Sequence, residues 1–167
     1  MLSLKFLGDL IFIYLPYSFF IYAFLFMMWN RCPHLFSIKL KRVNSEKYII
    51  AKEINKRPEI ITTIGDVNFL VNFGFLFFPF RRIDRRTFAY VLWVFYPQTV
   101  FLNPLRFNIE YFDVLVAHEI GHLCKKHVGN ELKQELEADG FASVICGEER
   151  VEDANKQYGW KHGDCIT

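Results

Sequence analysis

Twenty consecutive residues, Leu10 to Trp29 (LIFIYLPYSFFIYAFLFMMW), carry no charge. An α-helix rises about 1.5 Å per residue, so a run of this length matches the ~30 Å hydrocarbon core of a bilayer. A buried core helix and a cleaved signal peptide are the competing readings. A signal peptide has a shorter apolar region and a small-residue cleavage site, and the following MMWNRCP offers none. The expectation is an N-terminal transmembrane helix over about 10–29, with Pro16 in its second turn and Tyr14, Tyr17 and Trp29 as interfacial anchors. Lys5 and Asp9 cancel before the run, whereas Arg31, Lys39, Lys41, Arg42 and Lys47 follow it. Excess positive charge stays cytoplasmic, so the expected location is a single-pass membrane protein with the bilayer as partner and its body in the cytoplasm.

At 167 residues the chain has room for one domain behind such an anchor. Apolar residues make up 52 % and charged residues 23 %, which supports a buried core and excludes global disorder. A net charge of +2, without a recognisable nucleic-acid module, argues against a nucleic-acid partner. Cys32, Cys124, Cys146 and Cys165 form no CxxC pair, and their irregular spacing points to free thiols in a reducing compartment. The expected division is an anchor over 1–31, a domain over 32–147 and a polar tail over 148–167.

Between anchor and domain centre the signals are local. Asn44 to Lys56 reads as a short amphipathic helix that Arg57–Pro58 ends. The apolar run Val67 to Phe80 is short for a span and fits a buried strand or an interfacial segment. The basic cluster Arg81, Arg82, Arg85 and Arg86 would suit an anionic membrane surface. A second span over 61–80 would have to bury Asp66. Thr87 to Tyr96 and Thr99 to Leu102 are β-branched and aromatic, and with Pro97–Gln98 between them they predict a β-hairpin. Asn103–Pro104 predicts a helix start.

Chemistry concentrates in Ile109 to Gly147. His118-Glu119-Ile120-Gly121-His122 sits among Phe112, Leu115, Val116 and Leu123 at helical spacing, which predicts a buried helix. Positions i and i+4 share a helix face, so His118 and His122 can offer two imidazoles to one tetrahedral Zn²⁺. Glu119, one residue from the first ligand, can take a proton from a zinc-activated water without occupying the metal. With five His in 167 residues, chance gives about 0.01 matches to this HExxH pattern.

A catalytic zinc needs a third protein ligand. Lys125 and Val128 stand where a metzincin would have Gly and His, so that pattern fails. His127, five residues past His122, would lie about 140° around the helix and be poorly placed. A second helix is predicted over Glu131 to Cys146, with Asn130 as a cap and Gly147 as its end. On it Glu135 and Asp139 share a face, so Glu135 can bind the metal while Asp139 accepts a proton from a ligand imidazole. Glu137 is the less well placed alternative, and a merely solvated face remains open. Gly121, Ala138 and Ala142 are small enough for the two helices to approach closely.

HEIGHLCKKH followed by ELEADGFA resembles the gluzincin-type zinc peptidases, most closely the HtpX-type and CAAX-prenyl-type membrane peptidases. ImmA/IrrE-type peptidases share a similar ligand-bearing helix. The likeness spans roughly residues 99–147 and departs in the short connection between His122 and Glu135. It implies one zinc per chain at His118, His122 and Glu135, with Glu119 as base and Asp139 in support. The fold class expected is α+β: a minimal zincin-like domain with the HExxH helix, a second ligand-bearing helix and a small β-hairpin or sheet, behind the transmembrane helix. The expected function is a membrane-anchored zinc metallopeptidase acting on a peptide or protein substrate. The alternative is a non-catalytic or regulatory membrane protein with a structural zinc site or an inactive peptidase-like fold. Thr99, Val100, Phe101 and Leu102 are the expected edge strand for an extended substrate. Tyr158 and His162 are weak candidates for stabilising an oxyanion.

Overall fold

The computed structural model describes residues 14, 16–25, 27–28, 32–73, 88–91, 95–128 and 131–158. The chain divides into two compact units, Met1–Phe36 and Ser37–Thr167. In the first, residues 14, 16–25 and 27–28 are helical and a 3-10 turn covers Pro33–Phe36. Among the described residues no helix is long and apolar enough to cross a membrane. The expected transmembrane helix is thereby overturned, and the single-pass placement with a cytoplasmic body falls with it. A charge-free run permits a span without requiring one.

The second unit is a mixed α/β fold around a four-stranded sheet. Its strands are β1 (Ser37–Lys39), β2 (Asn68–Asn72), β3 (Ala89–Val91) and β4 (Thr99–Leu102), in the order β1-β2-β4-β3. β3 and β4 pair antiparallel with Tyr90 opposite Phe101, the hairpin that their composition predicts. β1 lies antiparallel to β2. β2 runs parallel to β4, with Phe69 opposite Val100. Parallel neighbours need a long crossover, and the chain between 72 and 99 supplies it. The strand reading of the 67–80 run thus applies to Asn68–Asn72. Residues 74–80 and the basic cluster Arg81, Arg82, Arg85 and Arg86 lie outside the described residues.

All four residues of β4 are buried, as expected for an unbroken apolar run covered on both faces. Val100 and Leu102 join the main core. Phe101 stacks on Tyr90 at 5.1 Å and meets Tyr96 edge-on at 5.5 Å.

The helices are α1 (Leu40–Val43), α2 (Ser45–Asn55), α3 (Pro58–Ile64), α4 (Phe112–Lys125), α5 (Leu132–Cys146) and α6 (Glu148–Tyr158). Asn44 caps α2 by accepting the Lys47 amide hydrogen at 3.0 Å, and Pro58 opens α3 where no amide hydrogen is needed. Asn103–Pro104 does not start a helix. The Asn103 side chain takes the Leu105 amide hydrogen and its carbonyl takes those of Arg106 and Phe107, which closes one turn and leaves α4 to begin at Phe112. α4 is apolar on nearly all sides and therefore central. It packs against α2, α3, α5 and α6 and on β3 and β4. Residues 148–158, expected as a polar tail, form α6, which buries Val151 and Ala154.

Candidate metal centre

The centre lies between α4 and α5. Their approach is set by Gly121: a Cβ there would sit 3.1 Å from Phe141 Cβ and 3.2 Å from Ala138 Cα and the Ala138 carbonyl oxygen. Those separations are below ordinary carbon contact distance, so only a hydrogen at position 121 lets the helices lie this close. α5 then stops at Gly147, whose φ of 96° a side chain would strain.

This approach brings His118 and His122 of α4 opposite Glu135 of α5. The two Nε2 atoms are 3.0 Å apart, His118 Nε2 is 3.3 Å from Glu135 Oε2, and His122 Nε2 is 3.6 Å from Glu135 Oε1. A tetrahedral ion bound at about 2.0–2.1 Å requires donor separations of about 3.3 Å, the mean of the three observed. The donor set therefore fits a metal ion.

The chemistry of the donors agrees with the distances. His118 Nδ1 is 2.7 Å from Asp139 Oδ1. A carboxylate accepts, so Nδ1 carries the hydrogen and the neutral ring directs its Nε2 lone pair at the other donors. His122 Nδ1 faces His127 Nδ1 at 2.9 Å, and His127 Nε2 faces Glu137 Oε2 at 3.1 Å. With Glu137 as terminal acceptor, His127 donates from Nε2 and accepts at Nδ1, and the His122 Nε2 lone pair is likewise directed inward. Three acceptors facing one another repel unless a cation lies between them.

Without a metal, a proton on His118 is the smallest such cation. Burial pulls the His118 imidazole down, but hydrogen bonds to Asp139 and Glu135 and the charges of Glu119 and Asp139 outweigh it and push the group up to about 10. Burial likewise works against ionised Glu135, yet His118 and His122 hold that carboxyl well below the usual carboxylate range. Glu119 is buried, and burial raises its carboxyl, with His118 and His122 pulling against the shift and Glu135 adding to it. It stands beside the three donors without being one of them.

Asp139 is itself held, because Asn155 of α6 donates from Nδ2 to its Oδ2 at 3.1 Å. The structure thus brings His118, Glu119, His122, Glu135 and Asp139 into one site. Glu137 is bonded to His127 and is not a donor to the centre. Thr99, Val100, Phe101 and Leu102, expected as a substrate edge, form an interior strand instead. Their backbone ladders are shared with β2 and β3, so an extended chain cannot add there. The Tyr158 hydroxyl accepts the Glu110 amide hydrogen before the start of α4, about two helical turns ahead of His118, and His162 lies outside the described residues.

The sequence reading missed the supporting roles of His127, Glu137 and Asn155. The third histidine of HEIGHLCKKH was a visible signal for the first, whereas Asn155 had none. No family model matches the chain, and comparison with curated proteins and with solved structures gives no match either.

Proposed function

We propose that the chain is a zinc-dependent metallopeptidase that hydrolyses peptide bonds with Glu119 as general base. The observation that carries this reading is the convergence of two imidazole nitrogens and one carboxylate at 3.0–3.6 Å beside a buried carboxylate outside the donor set. Two imidazoles and a carboxylate are a zinc donor set, and three protein donors leave one tetrahedral position open to substrate and solvent. When bound, zinc supplies a lowered pKa for water in that position and polarises a peptide carbonyl.

The chain's own residues do the rest. His118 and His122 present fixed lone pairs, because Asp139 and His127 occupy their Nδ1 atoms. Glu119 accepts the proton of the attacking water and returns it to the leaving amine. Its raised carboxyl makes it a stronger base than an exposed glutamate. The peptide substrate class is supported by the resemblance of HEIGH and ELEAD to gluzincin-type peptidases.

The second reading is a protein that keeps a structural zinc or an inactive peptidase-like fold. Three donors with an adjacent buried carboxylate favour the enzyme, since a closed structural site uses four donors and has no need of Glu119. The test is Glu119→Gln in zinc-loaded protein, assayed on an unstructured protein such as casein. Zinc content should be unchanged and hydrolysis should fall about 10²–10⁴-fold. A variant that keeps full zinc and full activity overturns the mechanism.

A further inference from the structure

His127 is the least expected residue at the site. α4 ends at Lys125, and Lys126 takes a left-handed conformation with φ of 57°. Residues other than glycine adopt that conformation uncommonly, most often where a helix ends. What it achieves is a reversal: the His127 amide hydrogen bonds back to the His122 carbonyl at 3.0 Å, and the His127 ring returns to the His122 ring. Residues 122 and 127 are thus tied twice, by backbone and by side chain. The ring is almost fully enclosed, with 7 % of its side chain exposed. Both its nitrogens are engaged, one by His122 and one by Glu137, whose other oxygen lies 3.9 Å from Lys133 Nζ.

We propose that His127, oriented by Glu137, is a positioning residue for the metal: it locks His122 in the Nδ1–H tautomer with Nε2 directed at the ion. The inference rests on the metal-site reading above and assigns the second ligand a support equivalent to the one that Asp139 gives the first. The supports differ in origin. Asp139 comes from the neighbouring helix, whereas His127 comes from the turn directly after the ligand's own helix. The Glu137–His127–His122 chain ends on a carboxylate, which accepts, so each hydrogen in it has one assigned donor and acceptor. A ring without that acceptor could rotate or present N–H to the ion, and outer-sphere partners of ligating histidines affect metal affinity about 10–100-fold.

The test uses full-length metal-free protein titrated with Co²⁺ and followed by visible absorption, with Zn²⁺ affinity measured by chelator competition. Wild type should bind one Co²⁺ with intense tetrahedral bands. His127→Ala should weaken both metals about 10–100-fold and alter the cobalt bands. His127→Asn, whose side-chain oxygen can replace Nδ1 as acceptor, should recover most of the affinity and the spectrum. Melting of the metal-free variants should agree with wild type, which separates positioning from folding. His127→Ala with wild-type affinity and bands overturns this inference alone, as does an asparagine variant no better than alanine. Wild-type protein that binds no cobalt overturns the metal-site reading and this inference together.

Discussion

α4 and α5 both supply the site, but they are held differently. α4 is enclosed, with Phe112, Val114, Leu115, Val116, Ala117, Ile120 and Leu123 all buried. α5 buries only a narrow stripe: Ala138, Ala142 and Ile145 are covered, while Leu132, Leu136 and Val144 are exposed. The imidazoles therefore stand on an element that the core fixes, and each is anchored again at Nδ1. The carboxylate stands on an element that approaches α4 closely at Gly121 and Ala138. The site thus has two candidate donors on one helix and a third whose position depends on the spacing between helices.

Removing the α5 ligand breaks this comparison most severely. A structural zinc site is worth about 10–16 kcal/mol over four ligands, so an even share is about 3 kcal/mol and Glu135→Ala should weaken zinc on the order of 10²–10³-fold. Metal content of the dialysed variant and chelator competition measure this directly. Retention equal to wild type would show that α4 holds the ion without α5, and the third donor would have to be sought elsewhere.

Why α4 was more legible than α5 follows from the range of the rules involved. His118, Glu119 and His122 obey a spacing rule within one helix, which needs no knowledge of tertiary structure. Glu135 and Asp139 obey the same rule on the next helix, although only the motif resemblance related that helix to the first. His127 was expected on another face of α4, because no local signal announces that a lysine will turn left-handed and end the helix before it. Asn155 lay in a segment read as a tail, where only Val151 and Ala154 mark a buried face. The parallel pairing of β2 with β4 joins strands that are distant in sequence, and it removed the edge expected at Thr99–Leu102. The charge-free run at 10–29 was the boldest signal and the one that failed, since a lack of charge permits a membrane-spanning helix without requiring one.

Protonation sharpens the comparison. In metal-free protein His118 sits near 10 against 6.5 in the unfolded chain, despite its burial, because α5 surrounds it with Asp139 and Glu135. A folded value above the unfolded one stabilises fully below pH 6.5, and that stability is lost as pH rises through 10. Metal-free protein should therefore melt at lower temperature on going from pH 7 to pH 10.5, and zinc-loaded protein should lose less. Zinc must displace the His118 proton, so binding near pH 7.5 should release about one proton and strengthen up to tenfold per pH unit. Calorimetry in buffers of different ionisation enthalpy counts the protons. Release unchanged in Glu135→Ala would mean that α5 does not hold the His118 proton through that carboxylate.

The gentlest intervention leaves every ligand in place and alters only the spacing. Alanine at 121 gains up to about 1 kcal/mol in helix propensity over glycine. Its methyl, however, meets Phe141 Cβ and the Ala138 backbone at 3.1–3.2 Å, and neither is the yielding end of a flexible side chain. Overpacking of this kind costs about 1–3 kcal/mol, so the net loss should be at most about 2 kcal/mol and melting should fall by a few degrees. The helices would relax apart by a few tenths of an ångström. Metal bonds tolerate about 0.2 Å, so the carboxylate, not the imidazoles, should lose its fit. Gly121→Ala should thus weaken zinc several-fold, while His122 keeps its partner in the turn after α4 and His118 stretches only toward Asp139. Differential scanning fluorimetry with and without zinc separates the two effects: the metal-free melting temperature should fall, and the stabilisation that zinc confers should shrink as well. Were the variant to melt higher and bind zinc as wild type does, the contact at Gly121 would have slack, and the spacing of α4 and α5 would be set by Ala142 and Ile145 instead.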